Sequence, residues 1–212
     1  MKIGVVIPIV NDVFINQLLD CIAHNTVIPD SIIIVNNSKN DAILMETHLP
    51  IYRTSQNPMS VNASWTYGIK ELLDNVDLIS ILNDDLLIEK WFFEKLIRVA
   101  SKCKNAAVIC PETTKHSNNA FLNNSVHYYE MSKREGWAWT IRSDVARIIP
   151  FIPNSLKTFC GDDWYWHHCR KLGRPWIKMV GCLCYHYIGQ SVSIMNVRQD
   201  LRTEIRCLNS LL

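Results

Sequence analysis

An α/β fold with a mostly parallel sheet covered by helices is predicted by three observations. Residues 3–10 and 31–35 are runs of β-branched and aliphatic side chains, which are typical of strands buried on both faces. Between them, apolar side chains at 13–24 recur at helical spacing behind the expected capping residue Asp12. A strand, a helix and a strand in this order form a βαβ unit with a right-handed crossover, so the sheet should begin with two parallel strands.

The same alternation continues through the first half of the chain. We expect further strands at 51–54, 78–82 and 106–110 and further helices at 60–73 and 90–102. This order places helices on both faces of one sheet.

The second half of the chain changes its pattern after Pro111. An Asn-rich loop reaches residue 124, and the alternating stretch 126–131 and the aromatic segment 137–141 predict a small antiparallel or mixed addition. The last elements expected are a helix that begins at Gly161, a strand within 180–191 and an amphipathic helix at 197–212.

Length and composition restrict the class of protein. The chain has 212 residues, of which 48% are apolar and 20% charged, and its net charge is +2. A chain of this size can form a full core, and no linker or low-complexity tract divides it, so we expect one domain over 1–212. A net charge near zero disfavours nucleic acid or an anionic membrane surface as a partner.

The absence of a targeting segment and the pattern of cysteines both predict a cytoplasmic protein with reduced thiols. The early apolar run 3–10 is broken by Pro8 and has no cleavage site after it, so we expect no signal peptide, no membrane span and a cytoplasmic protein. Eight cysteines without a CxxC pair predict reduced, mostly buried thiols. The terminal helix carries no tail, so the chain could be part of a longer one with further domains.

Polar side chains follow the strands at the sheet edge where ligands bind in doubly wound folds. They are Asn11, Asp12, Asn36, Asn37, Asn83, Asp84 and Asp85. The adjacent carboxylates Asp84 and Asp85 repel each other, and a divalent cation would offset this cost. Hard oxygen ligands suit Mg²⁺ or Mn²⁺ with a substrate phosphate. The alternative is that both cap a helix near Glu89 or lie solvated in a turn.

Two further groups of side chains could carry chemistry. Asp162 and Asp163 open a helix rich in aromatic residues, where a carboxylate could act as a general base; the alternative is a helix cap and a first-turn acid. Cys182, Cys184 and His186 alternate along one strand face, and His186 could bind a metal at Asp85. A zinc site is a weaker alternative, because no spacing matches a known zinc motif.

Seven tryptophans are more than a core of this size needs. Flat apolar faces with a polar edge stack well on sugar rings, although core packing is the default for most of them. We expect Trp137, Trp139 and Trp164 near a substrate, because the first two follow Gly136 and the third follows the acidic pair.

The sequence resembles the GT-A nucleotide-sugar glycosyltransferases, especially family 2, in the family's order and over nearly its whole length. VVIPIVND resembles the strand that holds the nucleotide base, IIIVNNSKND the second strand with Asn in place of the usual acidic residue, and NPMSVNASWTYGI the Asn-containing helix entry. This resemblance implies donor contacts at Pro8, Ile9, Val10, Asn11, Asn36, Asn37, Asn57, Asn62, Asn83 and Asp84.

Two later segments resemble the metal site of the same family. LISILNDDLLI resembles its DxD motif with Asn83 at the first position, which implies Asp84 beside the ribose and Asp85 on the metal. GCLCYHYIGQS resembles the closing strand whose histidine, here His186, completes the site.

The sugar pocket and the base have counterparts too. GWAWTIRSDV is similar to the glycine-led segment of the sugar pocket and implies Gly136, Trp137 and Trp139 there. GDDWYWHHCRKLGRP resembles the motif of the catalytic base, with Asp162 in place of the usual Glu and Asp163 as the base.

The resemblance implies a GT-A fold and a glycosyltransferase of the hexosyltransferase type. It implies Mn²⁺ or Mg²⁺ as cofactor, a nucleoside diphosphate sugar, such as a UDP-sugar, as donor, a glycan hydroxyl as acceptor, and inversion. The halves would be 1–110 for the nucleotide and 111–192 for sugar and acceptor, followed by the helix 193–212.

Two other functions stay open on the sequence. A sugar nucleotidyltransferase would need a glycine-rich phosphate loop after the first strand, and 8–14 contains no glycine. A non-catalytic carbohydrate- or protein-binding module on the same fold would bind glycan without regard to Asp85 or to a chelator.

Overall fold

The computed structural model describes residues 1–9, 13–37, 44, 46–54, 59–114, 124–187 and 197–212. The strands in chain order are β1 (Ile3–Ile9), β2 (Ser31–Asn36), β3 (Ile51–Thr54), β4 (Leu78–Leu82), β5 (Leu86–Ile88), β6 (Val108–Thr114), β7 (His127–Glu130), β8 (Ala138–Arg142) and β9 (Trp176–His186). The helices are α1 (Ile15–Ala23), α2 (Val61–Leu72), α3 (Phe92–Lys102), α4 (Ser143–Ala146), α5 (Gly161–Lys171) and α6 (Val197–Leu211).

Within these residues one nine-stranded sheet runs in the order β3-β2-β1-β4-β8-β6-β9-β5, and β7 also pairs with β9. Strands β1, β2, β3, β4, β6 and β9 run in one direction, whereas β5, β7 and β8 run in the other. The parallel strands β1 and β2 are buried along almost their whole length, as their unbroken aliphatic sequence predicts.

The two faces of the sheet hold separate apolar clusters. Helices α1 and α3 cover one face, where Leu18 and Phe93 are completely buried. Helices α2 and α5 cover the other face, where Trp65, Trp139 and Tyr165 pack together. None of the helices in the described ranges combines the length and the apolar content that crossing a bilayer requires.

Most of the predicted elements are present, and the small antiparallel addition is formed by β7 and β8. The expected cap Asp12 lies outside the described residues, and α1 begins behind Phe14 without a side-chain cap. The interpretation of Asp84 and Asp85 as caps of a helix near Glu89 is wrong, because the strand β5 follows them and α3 begins behind Trp91. The strand expected within 180–191 begins earlier, at Trp176.

Candidate active site

The carboxyl ends of β1, β2 and β4 meet at one edge of the sheet, as the sequence predicts. Ile9 of β1 lies directly opposite Asn36 of β2, and both are buried. Pro8 lies opposite Val35 one step earlier. Since Val10, Asn11 and Asn57 lie outside the described residues, their expected contacts with a nucleotide stay predictions.

Two asparagines at this edge hold the chain in place. The side chain of Asn37 donates to Ser64 Oγ at 2.9 Å and accepts from the Met59 N–H at 2.7 Å, which ties the end of β2 to the start of α2. Asn62 is 1% exposed, and its amide donates to the carbonyls of Phe159 at 2.8 Å and Leu156 at 3.1 Å. The structure therefore gives both residues a positioning role, and their contact with a donor stays a prediction.

Asp85 and His186 lie side by side, although 100 residues separate them in the chain. His186 Nε2 is 3.2 Å from Asp85 Oδ1, and the two side chains are only 15% and 5% exposed. Local pairing explains the contact: Leu86 of β5 faces His186 of β9, and the Tyr187 N–H donates to the Asp85 carbonyl at 3.0 Å. Thus β5, which periodicity did not reveal, places the carboxylate against the imidazole.

Trp137 contacts both the end of β4 and the end of β9 at this edge. Its indole stacks on the His186 ring, with centroids 5.4 Å apart and 20° between the planes. Its carbonyl accepts from the Asn83 N–H at 3.1 Å. Asn83, Trp137, His186 and Asp85 therefore form one contiguous group at the end of β4, next to the buried Asp84.

The second acidic pair lies in the first turn of α5, behind an unusual backbone conformation. Cys160, just before the helix, has φ of 61°, which is rare for a residue other than glycine and costs free energy. Glu204 of α6 holds this loop by accepting from the N–H groups of Thr158 and Phe159, each at 2.9 Å. Gly161 is required by close approach, because a Cβ there would overlap Asn62 Oδ1.

Arg134, in the loop between β7 and β8, grips Asp163 through both carboxylate oxygens. Its Nε lies 2.6 Å from Oδ1, and its Nη2 donates to Oδ2 at 2.7 Å. Arg134 is not among the predicted site residues, because a lone arginine in a loop has no local signature in the sequence. Its place beside the GW segment, three residues before Trp137, was the one available clue.

Asp162 also approaches the Nε of the same guanidinium and faces Gly136. Arg134 Nε is 3.6 Å from Asp162 Oδ2, and a Cβ on Gly136 would come within 3.0 Å of Asp162 Cγ. Burial raises the pKa of the Asp162 carboxyl, the charge on Asp163 raises it further, and Arg134 opposes both effects. The loop 134–137 thus contacts the acidic pair at one end and His186 at the other.

The structure contradicts the expected sugar-binding role of two tryptophans, Trp139 and Trp164. Trp139 has no exposed surface and packs between Trp65, Tyr165 and Trp176, so it belongs to the core. Trp164 is 6% exposed and donates its Nε1–H to the Pro150 carbonyl at 2.7 Å. Both side chains are too deeply buried to stack on a sugar.

The cysteines behave as expected for reduced thiols. All eight are free, and most are buried. Burial raises the pKa of Cys169 to about 11 and raises the pKa values of Cys182 and Cys184 well above the ordinary value, so these thiols are un-ionised at neutral pH. Among the described residues no three His, Cys, Asp or Glu side chains come together as a metal-binding group, and the zinc alternative finds no support there.

A cleft of about 720 Å³ lies at the opposite edge of the sheet. It is lined at the amino ends of β1 and β2 by Lys2, Asp30, Tyr52, Tyr67 and Glu71, among others. None of the predicted site residues lines it. Ligands of open α/β sheets bind at the carboxyl ends of the strands, so the Asp85–His186 edge is the candidate active site.

Comparisons with known proteins identify solved structures with a similar fold. Neither a protein-family model nor a curated protein matches this sequence. The crystal structure of S. aureus TarS 1–349 in complex with UDP superposes with a TM-score of 0.60 at 12% identity, and the match covers 89% of this chain and 59% of that one. The crystal structure of S. aureus TarS 1–349 gives a TM-score of 0.58 at 12% identity with the same coverage.

A third structure, of S. aureus TarS, gives a TM-score of 0.57 at 12% identity, with 36% of that chain covered. The chain therefore spans about three fifths of the shorter TarS structures and little more than a third of the longer one. At this level of identity the likeness is one of fold. The predicted fold class is confirmed: this chain has a mixed α/β fold that matches the TarS structures, with a mostly parallel central sheet, a few antiparallel strands and flanking helices.

Proposed function

We propose that this chain is a metal-dependent glycosyltransferase that moves a sugar from a nucleoside diphosphate, most simply UDP, to a hydroxyl of a glycan acceptor with inversion. The observation that carries the proposal is the contact of Asp85 with His186 at the edge where the strands end. The likeness to a TarS structure that was crystallised with UDP supports the choice of donor.

The side chains present fit a small divalent cation. Asp85 Oδ1 is buried, and within the described part of the chain it faces His186 Nε2 at 3.2 Å without forming a well-aligned hydrogen bond. Adjacent ligands of an octahedral ion at about 2.1 Å lie about 3 Å apart, and the two donor atoms here are separated by 3.2 Å. Two protein ligands suit Mg²⁺ or Mn²⁺, which fill their remaining positions with water and substrate phosphate. Asp85 and His186 would hold such an ion, which would supply Lewis-acid stabilisation for the leaving diphosphate.

The residues of the chain divide the remaining work. Asp163 accepts the proton of the acceptor hydroxyl as its oxygen forms a bond to the anomeric carbon of the donor. The bond from this carbon to the diphosphate breaks on the opposite side, and the electron pair leaves with the diphosphate. Attack opposite the leaving group inverts the anomeric configuration. Trp137 holds the His186 ring by stacking, and Asp84 is the residue proposed to contact the ribose.

Isothermal calorimetry with UDP tests the metal site directly. We expect UDP to bind more tightly with Mn²⁺ than with a chelator, because the diphosphate completes the coordination of the ion. Asp85→Asn should weaken the Mn²⁺-dependent binding by about 10²-fold, since it removes the charged ligand.

Asp74→Asn is the matched control, because Asp74 is 86% exposed and pairs only loosely with Arg147 at 3.4 Å. It should bind UDP and Mn²⁺ like the unmodified protein. UDP binding that is equal with Mn²⁺ and with a chelator would contradict the metal site. Binding of glycan alone, unaffected by Asp85→Asn, would favour the non-catalytic module instead.

A further inference from the structure

The side chain of Arg134, in the loop between β7 and β8, contacts both members of the acidic pair. Its guanidinium is bidentate on Asp163 and lies 3.6 Å from Asp162. A planar guanidinium that binds a carboxylate side-on fixes the plane of that carboxylate, which a lysine cannot do. Each Asp163 oxygen keeps a second lone pair that this contact does not use.

Two neighbouring carboxylates compete for one proton, and the surrounding charges decide which of them takes it. Adjacent like charges favour protonation of one member, and the member that a cation grips stays ionised. Of the two, Asp163 is gripped more closely by Arg134, because both of its oxygens contact the guanidinium, whereas Asp162 has only the longer contact. Burial raises the pKa of Asp162, which agrees with this order.

The other charged groups around the pair leave Arg134 as its cationic partner. In the same loop, Glu135 forms an ion pair with Lys178 of β9 at 2.5 Å, so the charge of that lysine is already paired. The carboxylate of Glu204, from α6, accepts hydrogen bonds from the backbone N–H groups of Thr158 and Phe159. Other titratable neighbours are the Cys160 thiol and His167, which lies one turn further along α5, and the buried Cys110 thiol of β6 also senses the charge on Asp162. Burial raises the pKa of the Cys160 thiol and lowers that of the imidazole, so both are uncharged at neutral pH.

We infer that Arg134 is a positioning residue that selects Asp163, rather than Asp162, as the ionised proton acceptor and orients its free lone pairs toward the acceptor hydroxyl. The inference rests on the proposed glycosyl transfer. It adds a residue and a division of labour within the acidic pair: Asp163 takes the proton, Asp162 supplies the competing charge, and Arg134 decides between them.

The test is a set of pH–rate profiles from about pH 5 to about pH 9, measured as UDP release from UDP-glucose and UDP-N-acetylglucosamine with Mn²⁺ and oligosaccharide acceptors. Arg134→Gln should lower kcat at neutral pH by about 10²-fold and leave UDP affinity unchanged. Without the cation the acidic pair holds its proton more strongly, so the pH below which kcat/KM falls should move upward. Adding Asp162→Asn to this variant should move that pH back down.

Arg134→Lys keeps the charge but loses the side-on grip, so kcat should fall while the acid limb stays in place. Arg147→Gln, at the exposed pair with Asp74, is the matched control and should behave like the unmodified protein. An Arg134→Gln variant with the original pH profile, whatever its kcat, overturns the inference. If the unmodified protein transfers no sugar from any donor, the proposed function fails, and this inference fails with it.

Discussion

Asp163→Asn should lower the rate of sugar transfer by about 10²- to 10⁴-fold and leave the binding of UDP with Mn²⁺ nearly unchanged. The amide has the size of the carboxylate and can still accept from Arg134, so the loop should keep its position. The amide cannot take the proton from an acceptor hydroxyl at neutral pH. Steady-state kinetics of transfer, combined with calorimetry of UDP, would separate the loss of chemistry from a loss of binding.

Asp144→Asn provides the comparison for this variant, because Asp144 is 63% exposed and pairs with Arg174 at 3.4 Å, away from the acidic pair. Its transfer rate should equal that of the unmodified protein. An Asp163→Asn variant that transfers sugar at a normal rate but has lost its UDP affinity would show that Asp163 is a donor-binding residue and not the base.

Lys95→Met should destabilise the fold by about 3–5 kcal/mol, because it leaves a buried carboxylate without its partner. Lys95 is completely buried, and its Nζ donates to Glu89 Oε1 at 2.7 Å and to the Gly181 carbonyl. The same Glu89 oxygen accepts from the Leu183 N–H of β9 at 3.0 Å. For a chain of this length the melting temperature should fall by roughly 6–20 °C.

Thermal unfolding of Lys95→Met, of Lys102→Met and of the double variant Lys95→Met with Glu89→Leu would measure this effect. Lys102 is exposed at the end of the same helix, so its replacement should change the melting temperature little. The double variant removes both charges and should recover part of the loss. A Lys95→Met protein as stable as the Lys102→Met protein would show that the buried pair contributes nothing.

The order of elements was predictable because each buried strand is longer than four residues or bounded by clear turns. β5 was missed because three residues give no periodicity, and its pairing partner β9 lies about a hundred residues further along the chain. Trp137 and Trp139 show the same limit on a smaller scale. Strand alternation begins only at Ala138, so their spacing of two does not put them on one face, and only Trp137 reaches His186.

The candidate site likewise contains features that the sequence predicted and features that it did not. The expected proximity of Asp85 and His186 is present in the structure, where their side chains lie 3.2 Å apart, while the roles of these residues and of Asp162 and Asp163 stay predictions. The ion pair of Arg134 with Asp163 was beyond prediction, because it depends on how the β7–β8 connection packs against α5. The prediction that Trp139 and Trp164 lie near a substrate was wrong, because both rings are buried in the core. Composition does not distinguish an aromatic ring in the core from one in a pocket.

The order of the strands also bears on how this molecule can be dissected. β8 lies between β4 and β6, and β9 separates β6 from β5, so strands of the first and the second half interleave in one sheet. The expected boundary at 110/111 falls inside β6. A truncated fragment that ends there would expose unpaired backbone on three strands and invite aggregation. Recombinant work on this protein therefore has to keep both halves in a single polypeptide, which should unfold cooperatively.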